Sequence, residues 1–384
     1  MSAPVRSRTW VGPCMERKES FYLPPETSRS LSATDFGWLV EDVVSHRGRI
    51  GAFFDFMHEL YVSIPVLAPL IARLIKYLGL GFRAYFMLWR LIFFALALSP
   101  AISKVGYWWW RSPTIIRSLR YGKNPRNFLD IYTTNTKIAP VVVFVTGGAW
   151  IIGHRAWAAS VGEYWSRKGI VTVSVDYRNF PQGTFFDMVQ DVETAINWIF
   201  DTIEQYGGDP TNITLVGQSA GAHICAHMLL SSSVTPPVRQ FVGVSGPYDM
   251  VSLAPRLHKR GLYTTMLKSI MGNDLFAVSP SRIPIRATSL PPILLLHGKA
   301  DISVPYESSV EFFQSLKLAS REVEIELWED IGHSHPLVED LAIGNYYLPH
   351  RILRLIDPTD ESSSSENPIM NKTFVRIAKQ LMPF

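Results

Sequence analysis

Cysteine is nearly absent from this chain of 384 residues: only Cys14 and Cys225 occur. Two thiols cannot build a disulfide framework. Neither has a Cys or His partner at ligand spacing, so no metal site is expected. Cys14 falls in a polar tail, whereas Cys225 sits in an Ala-rich helical stretch and reads as core packing. Charge is also sparse, at 18% of residues, with a formal net charge of +4 gathered toward the N-terminal third. That mild excess suits an anionic membrane surface. Nucleic acid is not expected as a partner, because no basic–aromatic module accompanies the charge. Neither G-x-G-x-x-G nor G-x-x-x-x-G-K-[ST] occurs, which removes the usual phosphate-cradling loops.

What is abundant is apolar: 47% of residues, unevenly placed. Residues 1–45 are rich in Ser, Arg, Glu and Pro and read as a disordered polar tail. Met1 to Ser20 is polar and charged, so no secretory signal is expected there. The final residues form neither a prenylation box nor an endoplasmic-reticulum retrieval signal. Residues 46–111 read as an apolar helical, membrane-associated segment ending in Trp108-Trp109-Trp110. Between Leu60 and Arg111 no uncharged run reaches the ~18 residues of a simple spanning helix. The interruptions Arg73, Lys76, Arg83 and Arg90 fall within an arc of about 100° on one helix face. A cationic stripe on an otherwise apolar helix describes an interfacial or re-entrant segment. Gly79 and Gly81 are places for it to break, and the three Trp residues would then sit at headgroup depth.

Residues 112–384 carry a regular strand–helix alternation. Candidate strands are Phe128–Tyr132, Val141–Val145, Ile170–Val175, Ile213–Val216, Phe241–Val244, Ile293–Leu296 and Val323–Leu327. Most are continuous β-branched or Leu runs, as parallel strands covered on both faces require. Val323 to Leu327 alternates strictly, which suits a strand near the sheet edge. A helix from Asp187 to Tyr206 keeps Val189, Val192, Ile196, Ile199 and Ile203 in helical rhythm. A last amphipathic helix is expected over Met370–Phe384. The expected fold class is α/β, a mostly parallel doubly wound sheet with right-handed crossovers.

Into this frame falls Gly217-Gln218-Ser219-Ala220-Gly221, a G-x-S-x-G turn between an apolar strand and an Ala-rich helix. Small neighbours let strand and helix close on a strained serine, lifting its hydroxyl above the sheet. Ser219 is therefore the candidate nucleophile, and it needs a base and an acid that orients the base. In hydrolases of this kind the chain order is Ser, acid, His. Asp301 lies just beyond Ile293–Leu296, the one carboxylate there, and is the candidate acid. His297, at the strand end, reads as shaping the loop. The base must follow the last strand, where His333 and His335 stand two residues apart; spacing does not separate them. His223 and His227, four apart on a helix without H-E-x-x-H, read as a packed pair. Oxyanion donors are expected from the Ala220 N–H and from Gly148 and Ala149, with Gly147 permitting the turn. Gln218, before the nucleophile, is grouped with these substrate-binding positions. Leu253–Met271 reads as a lid or pocket wall, with Leu253, Leu262, Tyr263, Met266 and Ile270 as candidates.

Three motifs add a resemblance. Phe144-Val145-Thr146-Gly147-Gly148-Ala149-Trp150-Ile151-Ile152-Gly153, Asp176-Tyr177-Arg178-Asn179-Phe180-Pro181-Gln182-Gly183 and Gly217 to His223 resemble plant-type isoprenylcysteine methylesterases. Arg260-Gly261-Leu262-Tyr263, Ser269-Ile270-Met271 and Pro383-Phe384 match that family as well. The resemblance implies an α/β-hydrolase fold and a serine esterase without cofactor. Its substrate would be the methyl ester of a prenylated C-terminal cysteine, met at a lipid membrane of the endoplasmic reticulum or Golgi. By position it implies Ser219 as nucleophile, Asp301 as acid and His335 as base. Pro336-Leu337 departs from the family's polar pair after that histidine. The alternatives are a carboxylesterase, lipase or arylformamidase using the same triad. A non-enzymatic hydrolase-fold receptor is disfavoured, since such proteins commonly lose a triad member and none is missing here.

Overall fold

The computed structural model describes residues 82–232, 237–287 and 289–381. The expected tail, Arg73, Lys76, Gly79, Gly81 and Pro383-Phe384 lie outside the described residues. Eight strands form one sheet among these: β1 Ile115–Arg120, β2 Phe128–Tyr132, β3 Ala139–Val145, β4 Val171–Val175, β5 Gly208–Gln218, β6 Gln240–Val244, β7 Ile293–Gly298 and β8 Val323–Trp328. Their spatial order is β1-β2-β4-β3-β5-β6-β7-β8. β1 and β2 pair antiparallel, as do β2 and β4, and every later pairing is parallel. The expected mostly parallel sheet is therefore present, with one addition at its start. β1 lacks a strand signature in the sequence because a register break between Ile116 and Leu119, with Ser118 at φ 58°, spoils its alternation.

Both faces of the sheet are covered, which explains the unbroken apolar runs. Successive side chains of a strand point to opposite faces. Val141, Val143 and Val145 of β3 thus enter one core, whereas Val142 and Phe144 enter the other. The first core is roofed by α4 (Phe185–Thr202), α5 (Ala220–Ser231) and α8 (Glu307–Leu318), the second by α3 (Ala159–Arg167) and α10 (Tyr347–Ile356). Helix α4 begins where Asp187, at its third position, accepts the Thr184 N–H at 2.8 Å. That cap satisfies one orphan donor and sets the helix start two residues earlier than periodicity alone suggests. Its buried stripe is Val192, Ile196 and Ile199. β8 lies at the sheet edge, with Val323 buried and Glu324 exposed.

The expected lid region consists of α6 (Met250–Lys259) and α7 (Thr264–Ile270). Leu253, Met266 and Ile270 are buried in the first core, so they are structural rather than open wall; Leu262 and Tyr263 stay partly exposed. The short α9 (Glu339–Ala342) precedes α10, and α11 (Lys372–Leu381) closes the chain.

Ahead of β1 stand α1 (Phe82–Ala97) and α2 (Ser99–Arg111). No single helix among the described residues is long and apolar enough to cross a membrane; Leu88–Ala97 and Ser99–Arg111 pass only as a pair bent by 71°. The bend falls at Leu98, beside Pro100 in the first turn of α2, where a missing N–H is tolerated. Phe94, Leu98 and Ala101 pack with Val375 and Ala378 of α11. Of the four stripe cations, Arg90 has a described side chain, and it donates to the carbonyls of Gln380 and Leu381 at 2.9 and 3.3 Å. It thereby fills acceptors that a helix C-terminus leaves orphaned. Trp109 donates Nε1–H to Asp130 at 3.1 Å and Trp108 stacks on Tyr132. At least these two tryptophans are therefore engaged with the sheet.

Candidate active site

The site grows from the C-terminal end of β5. Ser219 sits at φ 53°, ψ −119°, a conformation that a side chain tolerates only when its surroundings enforce it. Two glycines do so. A Cβ on Gly217 would come within 2.6 Å of the Ala222 Cα, and one on Gly221 would run into the Val145 carbonyl. Ser219 N–H is held by the Val244 carbonyl at 2.8 Å. The hydroxyl is thus fixed at the start of α5, where the unsatisfied N–H groups favour negative charge.

The imidazole that meets this hydroxyl belongs to His333. Its Nε2 lies 2.8 Å from Ser219 Oγ and its Nδ1 lies 2.7 Å from Asp301 Oδ2. A carboxylate only accepts, so Nδ1 carries the proton and Nε2 is left to accept from the serine. The expectation of His335 is overturned. Its Nδ1 lies 3.4 Å from Lys379 Nζ on α11 and its Nε2 lies 3.8 Å from Asp340. The reason is local. Leu337 and Val338 both donate to the Ser334 carbonyl, so the chain coils into a helical turn directly after His333. That turn carries the His335 side chain toward α9 and α11.

Asp301 is almost completely buried. Burial by itself would raise its pKa. The His333 charge and the hydrogen bonds from His297 and His333 outweigh this and hold the carboxyl well below the usual range. Its Oδ1 accepts the N–H groups of Ser303 and Val304 at 2.8 and 2.9 Å. For His333, burial pulls the pKa down, but Asp301 reverses this through charge and hydrogen bond, leaving a net rise. Glu339 adds to the rise and Arg260 opposes it.

The oxyanion loop follows β3. Gly148, Ala149 and Trp150 have φ of 121°, 50° and 63°, an uncommon left-handed run. Among the described residues neither Gly148 nor Ala149 gives its backbone N–H to a partner. Ala220 opens α5, so its N–H has no carbonyl within the helix to meet. Gly147 differs: its N–H donates to Gln218 Oε1 at 3.1 Å, so both residues brace the loop and neither offers that group to a ligand. A Cβ on Gly147 would stand 2.9 Å from Ser219 Cβ, which is why the position needs glycine.

Beneath the loop lies a buried charge network not read from the sequence. Arg155 donates to Asp130 and to Asp176, each at 2.8 Å. Arg126 donates to Asp176 at 3.0 Å and to the Gly153 carbonyl at 2.7 Å. Asn179 also donates to that carbonyl, at 2.8 Å. The loop is thereby pinned to β2 and to the segment after β4. The Asp176-to-Gly183 motif was visible as a string; its bracing role required the fold. His223 and His227 each direct Nε2 at a carbonyl, those of Val278 and Ala277 at 2.6 and 3.0 Å. Cys225 is buried in the first core. Among the described residues no group of three or more His, Cys, Asp or Glu is arranged to hold a metal.

A serine on a strand–helix elbow, an imidazole bridging it to a buried carboxylate, and free amides beside it define a serine hydrolase of the α/β-hydrolase fold. Solved structures share that fold: an inhibited esterase B from Lactobacillus rhamnosis aligns at TM-score 0.57 and 17% identity, over 70% of this chain and 96% of its own. The protein-family description BD-FAE matches residues 129–316. A rice protein (Oryza sativa subsp. japonica) named probable isoprenylcysteine alpha-carbonyl methylesterase is 37% identical over 340 residues, 81% of this chain and 82% of its own. An Arabidopsis thaliana isoprenylcysteine alpha-carbonyl methylesterase is 34% identical, over 81% of this chain and 80% of its own. The chain belongs to the isoprenylcysteine alpha-carbonyl methylesterase family and is a carboxylic ester hydrolase.

Proposed function

We propose that this protein hydrolyses the methyl ester of prenylated C-terminal cysteines through an acyl-enzyme on Ser219. The observation that carries the reading is the single imidazole of His333 joining Ser219 at 2.8 Å to Asp301 at 2.7 Å. His333 takes the serine proton as Oγ attacks the ester carbonyl. The Ala220, Gly148 and Ala149 N–H groups receive the oxyanion, each such donor contributing roughly 3 kcal/mol to barrier lowering. Asp301 stabilises the imidazolium, which then protonates the departing methanol. Water, deprotonated by the same imidazole, attacks the acyl-enzyme and releases the prenylcysteine acid.

A prenyl chain partitions into lipid, and the protein carries apolar side chains that suit contact with it. Phe86, Trp89, Phe93 and Leu96 on α1 and Phe374 and Ile377 on α11 are each more than half exposed. Contiguous exposed apolar surface of this kind is rare on soluble monomers. The proposal accordingly includes association with a membrane, of the endoplasmic reticulum or Golgi as the family resemblance implies. The test is methanol release from farnesylcysteine methyl ester against hydrolysis of a short acyl ester and of N-formylkynurenine. A higher kcat/KM on the prenylated ester supports the reading. A kcat/KM two orders of magnitude higher on either competitor would replace it with a general carboxylesterase or an arylformamidase.

A further inference from the structure

Asp301 has four places to accept a hydrogen bond, and all four are taken. Oδ1 receives Ser303 and Val304 N–H, and Oδ2 is shared between His333 Nδ1 at 2.7 Å and His297 Nε2 at 3.2 Å. His297 is fully buried at the end of β7. Its Nε2 also lies 3.0 Å from the Val304 carbonyl, and its Nδ1 lies 2.7 Å from Ser309 Oγ on α8. These partners dictate the tautomer. A carbonyl and a carboxylate can only accept, so Nε2 bears the proton, and a neutral ring then leaves Nδ1 to accept from the Ser309 hydroxyl.

We infer that His297, its Nε2–H fixed by the Val304 carbonyl and Asp301 and its Nδ1 accepting from Ser309, is a positioning residue for the catalytic acid. It holds the Asp301 carboxylate in one rotation and tempers the charge that Asp301 presents to His333. The inference rests on Ser219, His333 and Asp301 working as proposed above, and it goes further by extending their chain to Ser219–His333–Asp301–His297–Ser309. The role follows from rivalry for one oxygen. His297 and His333 donate to the same Oδ2, so each bond weakens the other. Without His297 the Ser303 and Val304 amides still hold Oδ1, but Oδ2 keeps only His333, and any shift of that oxygen moves the His333 ring off the serine. Its undivided charge would also hold the His333 proton more firmly. The charged and titratable groups facing His333 are Asp301, Glu339 and Arg260. His297 reaches it only through Asp301.

A merely structural histidine, tying the loop to the sheet through Val304, would affect folding but leave the nucleophile's activation unchanged. The two are separated by the rate at which a fluorophosphonate labels Ser219, measured against pH in wild type, His297→Leu, His297→Gln and Ser309→Ala. Labelling reports the triad alone and does not depend on the prenylated substrate. His297→Leu is expected to lower the maximal labelling rate about 10- to 100-fold, the range for a small misplacement of reacting groups. The probe's binding constant should stay within about twofold, and the acid limb should move to higher pH. His297→Gln supplies an N–H at the Nε2 position and should return both quantities toward wild type. Ser309→Ala should shift the acid limb in the same direction by less.

Folded His297→Leu with wild-type rate and acid limb overturns the inference. So does equal impairment of His297→Leu and His297→Gln with no shift of the limb. Should His297→Leu fail to fold, Ser309→Ala decides, since an unmoved limb there also overturns it. Labelling that survives His333→Ala at the wild-type rate would instead sink the triad itself.

Discussion

Exchanging each of two neighbouring histidines separates the geometry from the family pattern. His333→Ala removes the imidazole 2.8 Å from Ser219 Oγ, and among the described residues no other imidazole bonds that hydroxyl. Loss of the base in comparable triads lowers kcat about 10⁴- to 10⁶-fold, or about 5.5 to 8 kcal/mol of barrier. Residual turnover would come from the oxyanion amides and binding. His335→Ala removes contacts of 3.4 Å to Lys379 and 3.8 Å to the buried Asp340. Neither contact involves Ser219, His333 or Asp301, so kcat should stay within about threefold. The assay is methanol release by membrane-reconstituted variants, with the folded protein in each quantified by absorbance and circular dichroism. An inactive His335→Ala beside an active His333→Ala would refute the assignment and with it the local turn at Ser334 that supports it.

The raised pKa of His333 sets a pH dependence. Activity requires the neutral ring, so it should be present above the folded pKa and lost as pH falls through it. The acid limb of kcat/KM should therefore lie above the ordinary imidazole value of about 6.5; a limb below that value would contradict the Asp301 contact. Gly221→Ala places a methyl group against the Val145 carbonyl. It should destabilise the protein by about 3 kcal/mol or more, since the clash is with backbone, and thermal unfolding measures it. Ile199→Ala empties a buried site on α4 far from the chemistry. It should cost about 2 to 5 kcal/mol in denaturant unfolding while leaving kcat unchanged; a fall in kcat at full folding would count against the separation of core and site.

Much of the sheet was legible because burial on both faces forces continuous β-branched runs, as in Val141 to Val145 and Ile293 to Leu296. Strand β1 escaped because Ser118 in a left-handed conformation interrupts it, and a bulge erases the alternation on which strand reading rests. The nucleophile and the acid could be read since each must sit at a strand end, and Ser219 and Asp301 meet there through His333. The base could not be separated by spacing. Which of two histidines faces the serine depends on where the chain begins to coil, and that start is set by the Ser334 carbonyl accepting two amides. Gly147, expected to permit the turn, and Gln218, expected among the substrate-binding positions, bond each other, and that bond shows only when the β3 loop lies beside the elbow. The partnership of His297 with Asp301 was hidden for a similar reason. The four-residue interval between them is a tight loop whose closure the sequence does not announce.

In the proposed mechanism Ser219 becomes transiently esterified by a prenylcysteine. Rapid-quench mass spectrometry of the intact protein, mixed with farnesylcysteine methyl ester, measures this directly. The expected result is a mass increase equal to the farnesylcysteinyl acyl group, mapped to the peptide containing Ser219 and absent from Ser219→Ala. An adduct on another residue, or methanol released by Ser219→Ala at the wild-type rate, would contradict it.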